Sequence, residues 1–239
     1  MEKFLSGKVA VVTGGTRGIG RAITERLLTE GASVAFCGRS ADTVATAGRE
    51  MTEATSGDVF GEAADVSKPA DVRRFFQGVD NRFGALHILI NNAGVGRFGR
   101  LGELSLEEWH SMIELNLSGV FYCCREALQR FNNVGSGYII NISSLAGKNA
   151  FSGGAGYNAS KFGLNGLSEA LMLDYRYENI RVSYIMPGSV ETAFGSGAAA
   201  HASWKIAPED VAEMVTGLLR MPERTLVSRV EMRPLKPMK

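Results

Sequence analysis

An α/β fold is predicted for this chain: one doubly wound domain, residues 1–239, with a mostly parallel seven-stranded sheet and helices on both faces. Three observations predict it. Short β-branched apolar runs alternate along the whole chain with longer segments whose apolar residues recur at helical spacing. A glycine-rich turn, Gly14-Gly15-Thr16-Arg17-Gly18-Ile19-Gly20, follows the first of those runs at once. The 239 residues fit one domain, or at most two small ones, and no internal repeat or low-complexity tract divides them.

The first strand is read at residues 8–12. After the glycine turn a helix over 19–29 carries Ile23, Leu27 and Leu28 on one face and stops at Gly31. Residues 33–37 close a β-α-β unit. A strand, a glycine turn and a helix N-terminus make a pyrophosphate site, because exposed backbone N–H groups and the helix dipole favour an anion there. In this reading Gly14 permits the tight turn, and Gly18 and Gly20 permit close backbone approach to a cofactor. A merely structural turn is the alternative. Residues 41–55 read as helix and 58–64 as a third strand ending in Asp65-Val66. Ser67, Pro69 and Asp71 look like the start of the next helix, whose apolar face is Val72, Phe75, Phe76, Val79 and Phe83. The fourth strand, 86–90, runs into Asn91-Asn92-Ala93-Gly94.

A long helix is expected from Ser105, opened by Ser105-Leu106-Glu107-Glu108 as a capping box. Asn116 is polar within its apolar run and needs hydrogen-bonding partners if buried. The fifth strand, 137–142, delivers Ser143-Ser144 at its C-terminal end, where ligands bind in open α/β sheets. Lys148, Asn149 and Phe151 follow in a loop placed to line a substrate. Next comes a helix over 155–177. It puts Tyr157 and Lys161 one turn apart on one face. A free tyrosine has a pKa of about 10, and a nearby cation favours its phenolate, moving it toward the range useful for acid–base catalysis. A surface Tyr and Lys on an ordinary helix would look the same. The sixth strand, 180–186, ends at Pro187-Gly188, followed by Ser189-Val190-Glu191-Thr192. Residues 193–203 are Gly/Ala/Ser-rich and read either as a flap over substrate or as a surface loop. A helix from Pro208 to about residue 220 and a strand over 225–232 complete the chain.

Thr13, Gly14, Gly18 and Gly20 fit the pattern TGxxxGxG. With Asn91-Asn92-Ala93-Gly94, Ser144, Tyr157/Lys161 and Pro187-Gly188 they resemble the short-chain dehydrogenase/reductase family over nearly the whole chain, in outline its 3-oxoacyl-carrier-protein reductases. The resemblance implies a Rossmann-type domain with the dinucleotide held along Gly14, Thr16, Arg17, Gly18, Ile19 and Gly20. It implies further contacts from Asp65 and Val66 at the adenine, from Asn91, Ala93 and Gly94 along the groove, and from Pro187, Gly188, Val190 and Thr192 at the nicotinamide. Asp65 serving only the helix start remains the alternative. For Asn116 the resemblance adds a role holding a water that links Lys161 to solvent.

The end of the second strand decides the cofactor. NAD-binding domains place an acid there for the ribose hydroxyls; this chain has Gly38, Arg39 and Ser40. A guanidinium at Arg39 can take a 2′-phosphate in fork geometry, with Arg17 reaching it from the glycine turn. NADP(H) is therefore expected, against the alternative of two solvated arginines. The implied reaction is carbonyl reduction. Tyr157 is the general acid/base, Lys161 tunes it and binds ribose, Ser144 bonds the carbonyl oxygen and Asn116 completes a relay. Rival readings are an NAD-linked alcohol dehydrogenase and a non-catalytic nucleotide-binding scaffold. A nucleotide-sugar epimerase would want a larger C-terminal region.

Composition bounds the rest. Hydrophobic residues make up 45% and charged residues 21%, ordinary for a globular protein able to bury a core. With 26 basic and 25 acidic residues the formal charge is +1, which argues against nucleic acid as the main partner. No window approaches a membrane span and the N-terminus reads as no apolar signal, so a cytoplasmic location is expected. Cys37, Cys123 and Cys124 read as buried free thiols without metal-ligand spacing. His87, His110 and His201 form no ligand set, and no metal is expected. The sequons at Asn116, Asn141 and Asn158 fall in regular structure, so glycosylation is not expected. Family members commonly pair through the two long central helices, so a homodimer or homotetramer is implied.

Overall fold

The computed structural model describes residues 3–194 and 204–237. Strand β1 (Val9–Thr13) is buried along its whole length. Its alternate side chains face opposite ways: Ala10 and Val12 join one apolar cluster, Val9 and Val11 the other. A strand covered on both faces cannot alternate polar with apolar, which is why these runs read as unbroken hydrophobic stretches.

The remaining strands are β2 (Ser33–Gly38), β3 (Val59–Ala63), β4 (Ile88–Asn91), β5 (Gly137–Ile142), β6 (Ile180–Pro187) and β7 (Arg229–Met232). They form one seven-stranded sheet in the order β3-β2-β1-β4-β5-β6-β7. Every pairing between them is parallel, for example Val12 opposite Phe36 on one side and Ile90 on the other. The order reverses between β1 and β4. The helices leave those two strands toward opposite faces, so their C-terminal ends flank a crevice open to a ligand.

Seven α-helices cover the sheet among the described residues: α1 (Gly18–Thr29), α2 (Ala41–Thr55), α3 (Pro69–Phe83), α4 (Leu106–Ile113), α5 (Gly119–Val134), α6 (Ala155–Tyr175) and α7 (Pro208–Leu219). One face is sealed by Ile23, Leu27, Met51, Val211 and Val215, the other by Phe75, Phe76, Cys123, Phe131 and Leu164. All three cysteines are buried free thiols, pushed far above the ordinary thiol range by burial, as expected. The sequon residues Asn116, Asn141 and Asn158 are likewise buried. His87 is structural: its Nδ1 accepts from the Val9 N–H at 3.0 Å.

Beyond shifts of a residue or two at strand ends, three elements depart from expectation. The long helix from Ser105 does begin with its capping box, both bonds at 3.1 Å. It is then interrupted by a π-helical turn, Glu114–Ser118, between α4 and α5. Asn116 lies in that turn. Its side chain bonds a neighbouring loop rather than solvent, and Gly119 packs so closely that a Cβ there would sit 2.9 Å from the Val66 carbonyl oxygen. The last strand is shorter than residues 225–232, because Thr225 N–H closes a turn on the Pro222 carbonyl at 2.8 Å. Helix α6 ends at Tyr175, followed by a 3-10 turn Arg176–Glu178 and Asn179 in the left-handed region at φ 58°.

Candidate active site

The glycine turn and the turn after β4 are laced together. Thr13 Oγ1 accepts from the N–H groups of Asn92 and Ala93, each at 3.0 Å. Asn92 Nδ2 donates back to the carbonyls of Thr13 and Gly14 at 3.0 and 3.1 Å. Gly14 adopts φ 67°, and a Cβ on Gly20 would lie 2.2 Å from the Gly14 carbonyl oxygen. The turn's own packing thus already excludes a side chain at Gly20, before any cofactor is considered. Gly18 faces the other way, toward Thr192 Cγ2, which a Cβ would meet at 3.2 Å.

The cradle fits an anion. No side chain caps α1, whose N-cap is Arg17, and its first turn carries no acid. Its leading N–H groups are thus open to a phosphate, with Ile19 in that first turn. Arg17 and Arg39 are exposed, and among the described residues neither has an ion pair or side-chain hydrogen bond. At the end of β2 a Cβ on Gly38 would lie 2.7 Å from Thr16 Cγ2, so the strand end closes directly onto the glycine turn. Ser40 caps α2, its Oγ accepting from the Thr43 N–H at 3.4 Å.

Two expected cofactor contacts are otherwise engaged. The Asn91 side chain is turned into the core, donating to Asn141 Oδ1 at 2.8 Å and toward Cys124 Sγ at 3.4 Å. A contact of Asn91 with the cofactor groove would therefore be made by its backbone. Asp65 Oδ1 accepts from the Ser67 N–H at 3.1 Å and hydroxyl at 2.7 Å, tying it to the turn into α3. Val66 beside it is buried. Ala93 and Gly94 line the passage past α6: a Cβ on Gly94 would sit 3.2 Å from Asn116 Oδ1 and 3.9 Å from Lys161 Nζ.

Ser144, Tyr157 and Lys161 come together at the C-terminal end of β5. Ser144 begins a 3-10 turn, Leu145–Gly147, and its Oγ accepts from the Ala146 N–H at 3.1 Å. Lys161 Nζ donates to the Ile142 carbonyl at 2.9 Å and lies 6.0 Å from the centre of the Tyr157 ring. Burial drives the Lys161 ammonium down from its ordinary 10.5 to about 8. Burial also raises the Tyr157 phenol above its usual 10, opposed by a hydrogen bond with Ser144. The expected lowering of the phenol is therefore not what dominates in this structure. Desolvation disfavours the phenolate more strongly, and Tyr157 stands as a protonated donor.

Asn116 does not reach Lys161 with its side chain. Its Oδ1 accepts from the Val95 N–H and its Nδ2 donates to the Val95 carbonyl, both at 2.8 Å. The same Nδ2 donates to Ser160 Oγ at 3.0 Å, and Ser160 in turn bonds the Tyr157 carbonyl at 2.8 Å. Asn116 is thus a strut between the 94–95 loop and the helix that carries Tyr157.

Beyond β6, the Gly188 N–H after Pro187 donates to the Met232 carbonyl at 2.8 Å. Val190 bridges Ile206, with Ile206 N–H on the Ser189 carbonyl at 3.0 Å. The two ends of the Gly/Ala/Ser-rich segment are pinned side by side; residues 195–203 of the expected flap lie outside the described residues. Of the expected substrate-side loop, Lys148 is drawn off to Glu231 at 2.5 Å. Phe151 remains near the site, and Phe98, which no sequence signal marked, joins it. The Phe98 ring lies 5.6 Å from that of Tyr157, edge to face, and Phe194 lies 5.7 Å from it. Phe98 sits in an irregular Gly/Arg loop where neither helical nor strand periodicity applies.

The family model described as short chain dehydrogenase matches residues 8–202. A 3-oxoacyl-[acyl-carrier-protein] reductase of Chlamydia muridarum is 34% identical over 197 residues, 82% of this chain and 79% of that protein. Among solved structures, an alcohol dehydrogenase from the archaeon Thermococcus sibiricus complexed with 5-hydroxy-NADP superposes with a TM-score of 0.90 at 33% identity, covering 97% of this chain and 99% of its own. A metagenomic short-chain oxidoreductase in complex with NADP gives a TM-score of 0.85 at 37% identity, covering 98% and 99%.

Proposed function

The chain belongs to the short-chain dehydrogenase family, and from that premise we propose that it is an NADPH-dependent oxidoreductase that reduces a ketone or aldehyde to an alcohol. The observation that carries this reading is the joint burial of Tyr157 and Lys161 beside Ser144, at the strand ends where α1 has no side-chain cap and Arg17 and Arg39 have no ion pair among the described residues. The NADP-bound structures similar to this chain support the same cofactor. No helix among the described residues is long and apolar enough to cross a membrane.

The residues would divide the work as follows. The first-turn N–H groups of α1 hold the pyrophosphate, and Arg17 and Arg39 hold the 2′-phosphate. Thr192, which lies beside Gly18, and Val190 would hold the nicotinamide end. NADPH, when bound, would supply the hydride that the carbonyl carbon accepts. Ser144 steadies the carbonyl oxygen. Tyr157 gives that oxygen its phenolic proton, and the raised pKa keeps the proton in place until the alkoxide develops. Lys161 holds a positive charge against the phenolate left behind. Asn116 keeps the Val95 backbone and the Tyr157 helix in register. We place all of this in one domain, residues 1–239, and infer a homodimer or homotetramer through α5 and α6, whose outer faces expose Phe121, Phe162 and Leu173.

The 3-oxoacyl thioesters are one substrate class for this site, alongside other ketones and aldehydes. NADPH oxidation measured against acyl thioesters, sugars, aldehydes and quinones tests the reading. Turnover of at least one class is expected, with NADPH preferred over NADH. A flat panel contradicts it.

A further inference from the structure

We propose that Phe98, Phe151 and Phe194 form a substrate subsite that receives an aromatic or fused-ring group attached to the reacting carbonyl. The inference rests on the reductase reading above and adds the substrate class. The three rings come from three separate loops, after β4, after the turn that follows β5, and after β6. Phe98 and Phe194 pack against the same phenol ring, at 5.6 and 5.7 Å from Tyr157, and Phe151 packs against Phe98 at 5.9 Å.

These rings are 54%, 46% and 45% exposed for Phe98, Phe151 and Phe194, although large apolar side chains are ordinarily covered. The backbone makes room for them. A Cβ on Gly96 would lie 2.8 Å from ring atoms of both Phe98 and Phe194, and one on Gly154 would lie 2.6 Å from Phe151. The floor beneath is apolar as well: Tyr157 belongs to a small cluster with Met112 and Ala146, against which Val95 and Leu104 pack.

Two amides near this floor are already committed. Asn158 donates to the Ala146 and Asn149 carbonyls at 2.6 and 3.2 Å, and Asn116 is spent on Val95. A polyhydroxylated group laid on the three rings would lose water to surfaces that offer it no strong hydrogen bond, a net cost. A flat apolar group instead removes ring surface from water and meets aromatic edges and faces at favourable spacings. Because the rings crowd over Tyr157, which is 8% exposed, a carbonyl reaching the phenol must bring its flanking group into contact with them.

The test uses a matched pair of keto esters, ethyl benzoylformate and ethyl pyruvate, which differ in phenyl against methyl beside the ketone. The chain with NADPH is expected to favour ethyl benzoylformate at least tenfold in kcat/KM. In the double variant Phe98→Ala/Phe194→Ala that ratio is expected to fall at least tenfold, with NADPH fluorescence titration confirming that the groove still binds. An unchanged ratio in the variant, or reduction of ethyl pyruvate or sugars in preference to ethyl benzoylformate, overturns the subsite and leaves the reductase reading standing. Bound NADPH with no carbonyl of any class reduced overturns both.

Discussion

Lys161 Nζ is fixed 2.9 Å from the Ile142 carbonyl and 6.0 Å from the centre of the Tyr157 ring. The strand end thus anchors the ammonium, and the helix turn between positions 157 and 161 sets its distance to the phenol. Both groups are buried, and burial moves them in opposite senses: the amine down to about 8, the phenol up. The acid of the proposed reaction is stored neutral beside a cation that sheds its proton just above neutrality.

A pH dependence follows from that amine. Below about pH 8 Lys161 is charged in both the folded and the unfolded chain; between about 8 and 10.5 only the unfolded chain keeps the proton. Folding therefore gains stability as pH rises through this window and loses it again as pH falls through about 8. Comparison of urea unfolding for the chain and Lys161→Met at pH 7 and at pH 10 is expected to shift toward the unsubstituted chain by on the order of 2–3 kcal/mol. A difference independent of pH contradicts the assignment. The same titration predicts that kcat/KM for NADPH falls above about pH 8.

The proposed 2′-phosphate contact rests on Arg39 and Arg17, both exposed and without an ion pair among the described residues. Arg39→Ala is expected to raise KM for NADPH roughly tenfold or more, the scale of a lost charge-assisted phosphate contact, with little effect on NADH. Equal changes for the two cofactors would refute the 2′-phosphate contact.

Asn116 is predicted to matter for stability as well as rate. Asn116→Ala removes three hydrogen bonds and leaves both the N–H and the carbonyl of Val95 without their partner. These groups are partly buried, and a fully buried group so orphaned costs roughly 1–3 kcal/mol, which sets the upper end. Calorimetry should show a clearly lowered Tm, and an unchanged Tm would sink the strut.

At the start of α4, Ser105→Ala breaks a capping box whose two bonds are both 3.1 Å. The loss expected is about 1 kcal/mol, and Ser105→Gly should lose less. A Ser105→Ala variant as stable in urea as the parent chain would contradict the cap.

Much of this was legible in the residues. The strands are legible because burial on both faces writes them as unbroken β-branched runs, and the turns because Gly14 and Gly18 occupy positive φ. Tyr157, Lys161 and Ser144 could be paired from helical spacing and strand ends alone. The π turn at Asn116 could not, because inserting one residue leaves the apolar pattern of a helix almost unaltered. Nor could the inward turn of Asn91, which depends on Asn141 fifty positions away. The phenol's raised pKa escaped for a similar reason: spacing reveals a neighbouring charge but not how much water the fold removes. The aromatic ring of Phe98 was hidden because loops carry no period.

One measurement bears most directly on the central claim, that the Tyr157 hydroxyl delivers the proton to a developing alkoxide. NADPH-dependent carbonyl turnover is compared between the chain and Tyr157→Phe, with NADPH binding checked by fluorescence. Substitution removes the phenolic hydroxyl and keeps the ring. Retained NADPH binding with kcat lowered about 10²- to 10⁴-fold is the predicted result. Turnover near that of the unsubstituted chain would contradict it.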